Sequence, residues 1–420
     1  MESSEKVMNV LNLPLPQGGR FALDLAYDKV IRIRFTQGQD FEPDSSYAVV
    51  QNRWLDIPYT ITEKKDSYTV STELLTIKLS LSPFTLTVTD KSGKLRYQTS
   101  GEGLQLHKES WKLTTTLEQG EGVFGLGEHG ETLNRVPGRF RFWNNDEDQD
   151  FVFKQYYLNI PVGISHLPSE KTHLFFLDNP GESFLDVGQK NPSELTWEVE
   201  NGDFRLWLVF GDNPMDCIRI YSLLTGKMLR PPKWALGFHQ CRWSYENEKR
   251  VRDVTSEYRK RKIPCDAIWL DIHYMNQYRV FTWNNERFPN PKKMIQDLKK
   301  NGFSTVCIID PGVSIAEDYH CSAEGLKENL FLKALSGELY IGRCWPGEAY
   351  YPDFTNPKTR KFWGKWQKEA LLDIGIDGVW NDMNEPSVFH IEKPKRVLNP
   401  SLIHYDFGQY RPHKRIHNIY

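Results

Sequence analysis

The sequence predicts a multidomain β and α/β protein: an N-terminal antiparallel β-sandwich over residues 1–230, then the first half of a (β/α)8 barrel over 231–420. Three observations carry this. Apolar residues alternate with period two up to about residue 210; after Arg230-Pro231-Pro232 short apolar runs alternate with amphipathic helical stretches; and three of those runs end in a carboxylate.

In the first region Val30-Ile31-Arg32-Ile33-Arg34-Phe35 alternates, as do Leu75, Ile77, Leu79 and Leu81, then Phe84, Leu86 and Val88. Such runs are half-buried strands, and Asp90-Lys91-Ser92-Gly93 and Asn201-Gly202-Asp203 are turns between them. A helix is expected from about Asn213 to Leu224, started by Asp212-Asn213-Pro214 and stopped by Gly226. Beyond the proline pair four barrel strands are expected: Trp234–Phe238, Ala267–Leu270, Thr305–Ile309 and Gly378–Trp380. Helices at about 247–261, 292–300 and 358–373 join them, with Val251, Val254 and Tyr258 at helical spacing in the first. The step from the third strand to the fourth is about twice the others, so an insertion rich in Gly, Trp and Tyr is expected at about 313–350, on the rim where α/β folds keep their sites. A complete barrel takes roughly 200 to more than 400 residues. With only four strands before Tyr420, and an ending at Ile416–Tyr420 that lacks a helix end or polar tail, the sequence reads as truncated.

Composition narrows the function. Among 420 residues, 53 Lys plus Arg balance 55 Asp plus Glu, a net charge of −2, which offers no electrostatic footprint for nucleic acid or an anionic membrane. No apolar run approaches the roughly 18 residues of a membrane helix, and the acidic start MESSEKVMNV is unlike an export signal. Six scattered cysteines without a CxxC pair, and no N-x-S/T site free of proline, point to a cytoplasmic location with reduced thiols. His and Cys show no zinc-like spacing and there is no HExxH, so neither metal nor cofactor is expected. Gly125-Leu-Gly-Glu-His-Gly130 satisfies G-x-G-x-x-G, yet no βαβ unit surrounds it, which argues against a dinucleotide site.

The chemistry is concentrated in the acids. Asp271, Asp310 and Asp382 end three successive strands, and Glu385 follows Asp382 by three residues in Gly378-Val-Trp-Asn-Asp-Met-Asn-Glu-Pro386. Acids at C-terminal strand ends face the mouth of a barrel, and paired carboxylates beside a stacking Trp suit glycoside hydrolysis. The competing reading is that each acid caps the helix after it, Asp being a common N-cap and Glu a common N3 partner.

At these residues the sequence resembles glycoside hydrolase family 31, in its α-glucosidase branch, over nearly its whole length. The most specific segment is Trp380-Asn-Asp-Met-Asn-Glu-Pro386; Pro232–Tyr245, Trp269–Met275, Phe281–Trp283, Arg287–Pro289, Ile309–Gly312, Trp345–Gly347 and Tyr351–Pro357 support it in order. Phe124–His129 and Trp143–Asp146 resemble the family's β-domain segment, whose loop reaches toward the barrel mouth. The resemblance implies a retaining exo-α-glucosidase acting on maltose-like α-linked gluco-oligosaccharides, with Asp382 as nucleophile and Glu385 as a supporting acid. It implies sugar contacts by Asp271 and Asp146, pocket walls of Ile272, Ile309 and Trp345, and a floor of Trp380 and Met383. It sets the acid/base aspartate on a later strand, beyond the segment that Ile416–Tyr420 resembles. That leaves a second expectation, a catalytically incomplete fragment or non-catalytic carbohydrate-binding product. An α-xylosidase is disfavoured by the Asp-Met-Asn-Glu-Pro form, and a homo-oligomeric full-length form is left open. Exposed sheet edges and apolar helix faces should make the 420-residue polypeptide alone poorly soluble or dependent on a complementing fragment; sedimentation checks this, and a monodisperse soluble species would contradict it.

Overall fold

The computed structural model describes residues 8–50, 54–108, 110–130, 132–146, 155–389 and 397–420; residues 1–7, part of the stretch searched for an export signal, lie outside this set. The chain divides into two units: one runs through Met228 and takes in Lys414–Ile419, and the other comprises Leu229–His413 with Tyr420.

The first unit holds two antiparallel sheets among the described residues. One has seven strands in the order Met8–Pro14, Arg20–Tyr27, Val30–Thr36, Phe204–Phe210, Lys171–Leu177, Gln155–Leu167 and Gly122–His129. The other has nine, ordered Gly138–Phe142, Ser183–Val187, Glu194–Val199, Ser110–Thr116, Leu95–His107, Phe84–Asp90, Leu75–Leu81, Ser67–Ser71 and Thr60–Lys64. Their inner faces share one apolar core in which Phe35 packs on Phe84, Trp111 and Phe204 with ring centroids 5.4–5.5 Å apart. Leu75, Ile77 and Leu79 point inward and their neighbours outward, as the alternation predicts.

Val30–Thr36 departs from a half-buried strand, because both its faces are covered. Ile31, Ile33 and Phe35 enter the core. On the other face the Arg32 guanidinium lies 4.8 Å from the Trp207 ring and that of Arg34 lies 4.5 Å from Phe41. Asp24, itself fully buried, accepts from Nε of Arg32 (2.8 Å) and Nε of Arg34 (2.9 Å), and Arg32 grips Asp44 with both terminal nitrogens at 2.7 and 2.8 Å. Two cations and two anions therefore close a neutral network, and although burial opposes it, the Arg32 fork holds the Asp44 carboxyl below its ordinary range.

The expected helix is Pro214–Thr225, with Asn213 accepting from Asp216 N (3.0 Å), Pro214 in its first turn and Gly226 at φ 81° ending it. Gly125 and Gly127 belong to a strand whose pairing slips on either side of Gly127, where a Cβ would meet Ile160 N at 2.5 Å; the glycine motif marks a bulge. The loop after Gly138–Phe142 is held by the chain's last residues. Asn144 N donates to Asn418 Oδ1 (2.9 Å), Asn418 Nδ2 donates to the carbonyls of Phe142 and Gly181 (3.0 Å each), and His417 donates to the Asn144 carbonyl (2.7 Å) while stacking on Trp143 at 3.6 Å.

In the second unit four parallel strands pair in chain order: His239–Gln240, Ala267–Leu270, Ser304–Ile309 and Gly378–Asn381. The first begins later than the sequence predicts. Lys233–Leu236 is a 3-10 turn, with Leu236 74% exposed, because Pro232 and Trp234 accept turn hydrogen bonds from Ala235 and Gly237 (3.0 and 3.1 Å) in place of a ladder. Helices Glu248–Lys260, Pro291–Lys300 and Pro357–Ala370 join the strands; each has an Asn N-cap, and in the last two a proline follows it. The region at 313–350 folds as a helix, His320–Lys327, and a small antiparallel sheet of Val313–Ser314, Gly347–Tyr350 and Ile341–Cys344.

Asp24→Ala should leave two buried guanidinium groups without their shared partner and lower stability by about 3–5 kcal/mol. Urea unfolding measures this, and a loss under about 1 kcal/mol would show that Asp44 alone satisfies both arginines.

Candidate active site

The parallel ladder decides where the acids gather. Leu270 pairs with Cys307 and Ile309 with Asn381, so Asp271, Asp310 and Asp382 each follow the last residue of a neighbouring strand. Asp382 is anchored to the middle strand by its own N–H, which donates to Ile309 O (3.1 Å).

Asp271 is buried and its Oδ1 accepts from Ile272 N (2.7 Å), so the capping reading holds for one oxygen of this residue. Burial raises its carboxyl above the ordinary value, against the pull of that N–H and of His273. Asp310 is 3% exposed, and neither of its carboxylate oxygens has a hydrogen-bond partner among the described residues. Burial first, then the charges of Asp382, Asp271 and Glu385, push it well above the usual carboxylate range. These effects place all four acids in one electrostatic neighbourhood. Cys344 joins it: burial raises its thiol, and Asp310, Asp382 and Glu385 add to the shift.

The surrounding side chains are largely apolar. Ile272 and Ile309 are buried members of the unit's core, with Trp380 packed at its margin and 5.7 Å from Trp269. Met383 is buried and takes a left-handed φ of 62°, a conformation that costs a residue with a Cβ of order 1–3 kcal/mol and persists only where neighbours hold it. Ser387 N donates to Met383 O (3.1 Å), and Tyr351 Oη donates to Ser387 O (3.0 Å). Trp345, on the turn after Cys344, is 37% exposed and meets Phe389 edge-on at 5.0 Å and Trp243 at 6.1 Å, an aromatic rim beside the acids. Asp146 lies in the first unit, half-buried on the loop clamped by Asn418. Among the described residues no group of three or more His, Cys, Asp or Glu is arranged to hold a metal ion.

The family resemblance gives Asp310 no role, though its strand-end position is the same signal that marks Asp271 and Asp382. Trp269 and Cys344 carry no sequence signal that sets them apart from core residues.

The segment Tyr351–Pro357 ties down the neighbouring hairpin Ile403–Asp406 and Gln409–Pro412. Asp353 accepts from His404 Nδ1 (2.8 Å), Thr355 Oγ1 (2.6 Å) and Tyr405 N (2.7 Å), and His404 Nε2 pairs with His413 Nδ1 (2.9 Å). Burial opposes ionisation here, but His404 and the other donors outweigh it and hold the Asp353 carboxyl below its ordinary value.

A sandwich followed by parallel strands that end in clustered acids beside an aromatic rim is the build of a sugar-cleaving protein class. Residues 228–420 match the glycosyl hydrolases family 31 TIM-barrel domain, and residues 20–186 match the glycosyl hydrolase 31 N-terminal galactose mutarotase-like domain. The chain belongs to glycoside hydrolase family 31. It is 34% identical over 402 residues to alpha-glucosidase 2 of Bacillus thermoamyloliquefaciens, covering 94% of this chain and 49% of that protein. It is 32% identical over 328 residues to human neutral alpha-glucosidase AB, covering 71% of this chain and 34% of that protein. The structure of a family 31 dextranase from Flavobacterium johnsoniae complexed with glucose superposes with a TM-score of 0.83 at 28% identity, over 99% of this chain and 52% of that one. The chain thus spans about half the length of the bacterial relative and of the dextranase, and about a third of the human protein.

Because the folded Asp353 carboxyl ionises below its ordinary value near 4, its contribution is complete above that pH and disappears as pH falls through the folded value. Asp353→Asn should cost roughly 2–3 kcal/mol at pH 7 and flatten the loss of stability on acidification below about pH 4, read by urea unfolding across pH. An unchanged acid slope would sink this assignment.

Proposed function

We propose that the protein is a retaining exo-α-glucosidase that removes terminal glucose from maltose-like α-linked oligosaccharides through a covalent glucosyl-Asp382 intermediate. The observation that carries this reading is the gathering of Asp271, Asp310, Asp382 and Glu385 at one end of a parallel sheet, beside exposed Trp345 and half-buried Trp380. Two relatives named alpha-glucosidase, and a solved relative captured with glucose, support the glucosyl unit.

In this mechanism a carboxylate oxygen of Asp382 forms a bond to the anomeric carbon. The bond from that carbon to the leaving oxygen breaks, and the departing oxygen takes up a proton from the acid/base aspartate that the family resemblance sets on a later strand, beyond Tyr420. Water then bonds to the anomeric carbon as the glucosyl–Asp382 bond breaks, its proton passing to the conjugate base of that acid, so that Asp382 returns as a carboxylate and glucose is released. Glu385, three residues on, adds negative charge that steadies the oxocarbenium-like transition state. Asp271 keeps one oxygen committed to Ile272 N and turns the other to the sugar hydroxyls. Ile272, Ile309 and Trp345 wall the sugar and Trp380 and Met383 floor it, since a neutral ring is held by a few polar groups among apolar surfaces.

The test is to incubate the whole protein with an α-glucosyl fluoro-sugar that traps glucosyl-enzyme intermediates, then weigh the active-site peptide. The label is expected on Asp382, and Asp382→Asn should lower turnover by roughly 10⁴-fold or more, the scale on which loss of a nucleophile acts. A folded protein labelled elsewhere, or turning over normally as Asp382→Asn, would exclude this nucleophile.

A further inference from the structure

Asp310 lies between the other acids, and among the described residues it has none of the support that an ionised carboxylate requires. Its strand lies between the other two in the sheet, and the Ile309–Asn381 pairing brings it opposite Asp382 across a spacing of about 4.8 Å. Parallel neighbours in register project to the same side of a sheet, so the two carboxyl groups share a face. The charged groups acting on Asp310 are Asp382, Asp271 and Glu385, all of them acids. The other titratable groups facing it are Tyr274, Tyr351 and Cys344, and burial raises each of these, so they are uncharged at neutral pH. Neither Asp310 oxygen accepts a hydrogen bond from a described residue, whereas a buried anion is ordinarily paired or surrounded by donors. Carboxyl groups on the same face of neighbouring strands repel when both are ionised, which favours a single charge between them.

We propose that Asp310 is a positioning residue for Asp382: it keeps its proton at neutral pH, so that the one negative charge of the pair resides on Asp382 in a site crowded with acids. The charge assignment stands on the geometry of the pair, and the positioning role rests on Asp382 being the nucleophile. Buried most deeply, Asp310 is the member that holds the proton; Asp382, half-exposed, is the member that ionises. When pH rises far enough to ionise Asp310, a second anion appears beside the nucleophile and the two repel, displacing Asp382 from its line of attack.

Labelling of Asp382 by a fluoro-sugar with a fluoride leaving group tests this, because fluoride departs without a proton and the alkaline limb then reports the pair rather than the general acid. In the whole protein the wild-type labelling rate should fall as pH rises above neutrality. Asp310→Asn, permanently uncharged and nearly isosteric, should label within about threefold of wild type at pH 7 and show no such fall. A folded Asp310→Asn protein that labels more than about thirtyfold slower at pH 7 would mean that Asp310 acts as an anion, and would overturn the proposal. An independent measurement is the infrared carbonyl stretch of a protonated carboxyl at pH 7. It should be present in the wild type and absent from Asp310→Asn, or from Asp310→Ser where the Asn variant does not fold. If Asp382 is labelled and no such band exists at pH 7, this inference fails and the nucleophile stands. If the band is present and Asp382 is never labelled, the positioning role and the nucleophile reading fail together while the charge assignment survives.

Discussion

Parallel pairing in register is the constraint on which the second unit depends. Three neighbouring strands are each followed by aspartate at the same end of the sheet: Asp310 and Asp382 stand level, and Asp271, whose strand ends opposite Cys307, stands two residues lower. Anions are thereby concentrated where the sheet has no room to separate them, while the core beneath, built from residues such as Ile268, Leu270, Ile295, Cys307 and Phe362, supplies no counter-charge. The loop after Asp382 must then be held against both steric and electrostatic strain. Among the bonds that hold it are Tyr351 to Ser387, Ser387 to Met383, and Phe389 N to Arg343 O at 2.8 Å. These bonds let a left-handed methionine persist beside the acids.

The two units treat buried carboxylates in opposite ways. In the sandwich, Asp24 is enclosed by the Nε groups of two arginines, and Asp44 completes a network whose charges cancel. Such a carboxylate is tied to its cations by charge-assisted hydrogen bonds on both oxygens. At the sheet ends, Asp310 has no committed donor and only acids for charged company. Asp24 and Asp44 are neutralised by arginines, whereas burial beside other acids makes the protonation of Asp310 the adjustable quantity.

Much of this organisation is legible in the sequence, for identifiable reasons. Alternating runs such as Leu75–Leu81 show which face enters the sandwich, and Asn-Pro at 290–291 and 356–357 marks helix starts to within a residue or two. Trp234–Phe238 misleads because an apolar run is compatible with a strand or an exposed turn, and only the pairing of His239 with Ala267 tells them apart. Arg32 and Arg34 read as solvent-facing residues because the sequence does not reveal that Phe41, Trp207 and Asp44 cover them. Asp271, Asp310 and Asp382 are equivalent as letters at strand ends. What distinguishes Asp310 is its burial together with charges from two other segments, and no local pattern contains that combination.

The clamp on the Trp143–Asp146 loop also has a meaning in time. Asn144 and its partner Asn418 are 274 residues apart, so a ribosome adding roughly 5–20 residues per second makes the partner about 14–55 s after the loop has been synthesised. Through that interval the Asn144 N–H has water in place of the Asn418 side chain, and Trp143 lacks the His417 ring that stacks on it. The sandwich is therefore synthesised with one edge unfinished, and the residues that finish it are encoded after the four parallel strands described above. For the nascent chain, this edge of the first unit is closed only after those four strands have been made.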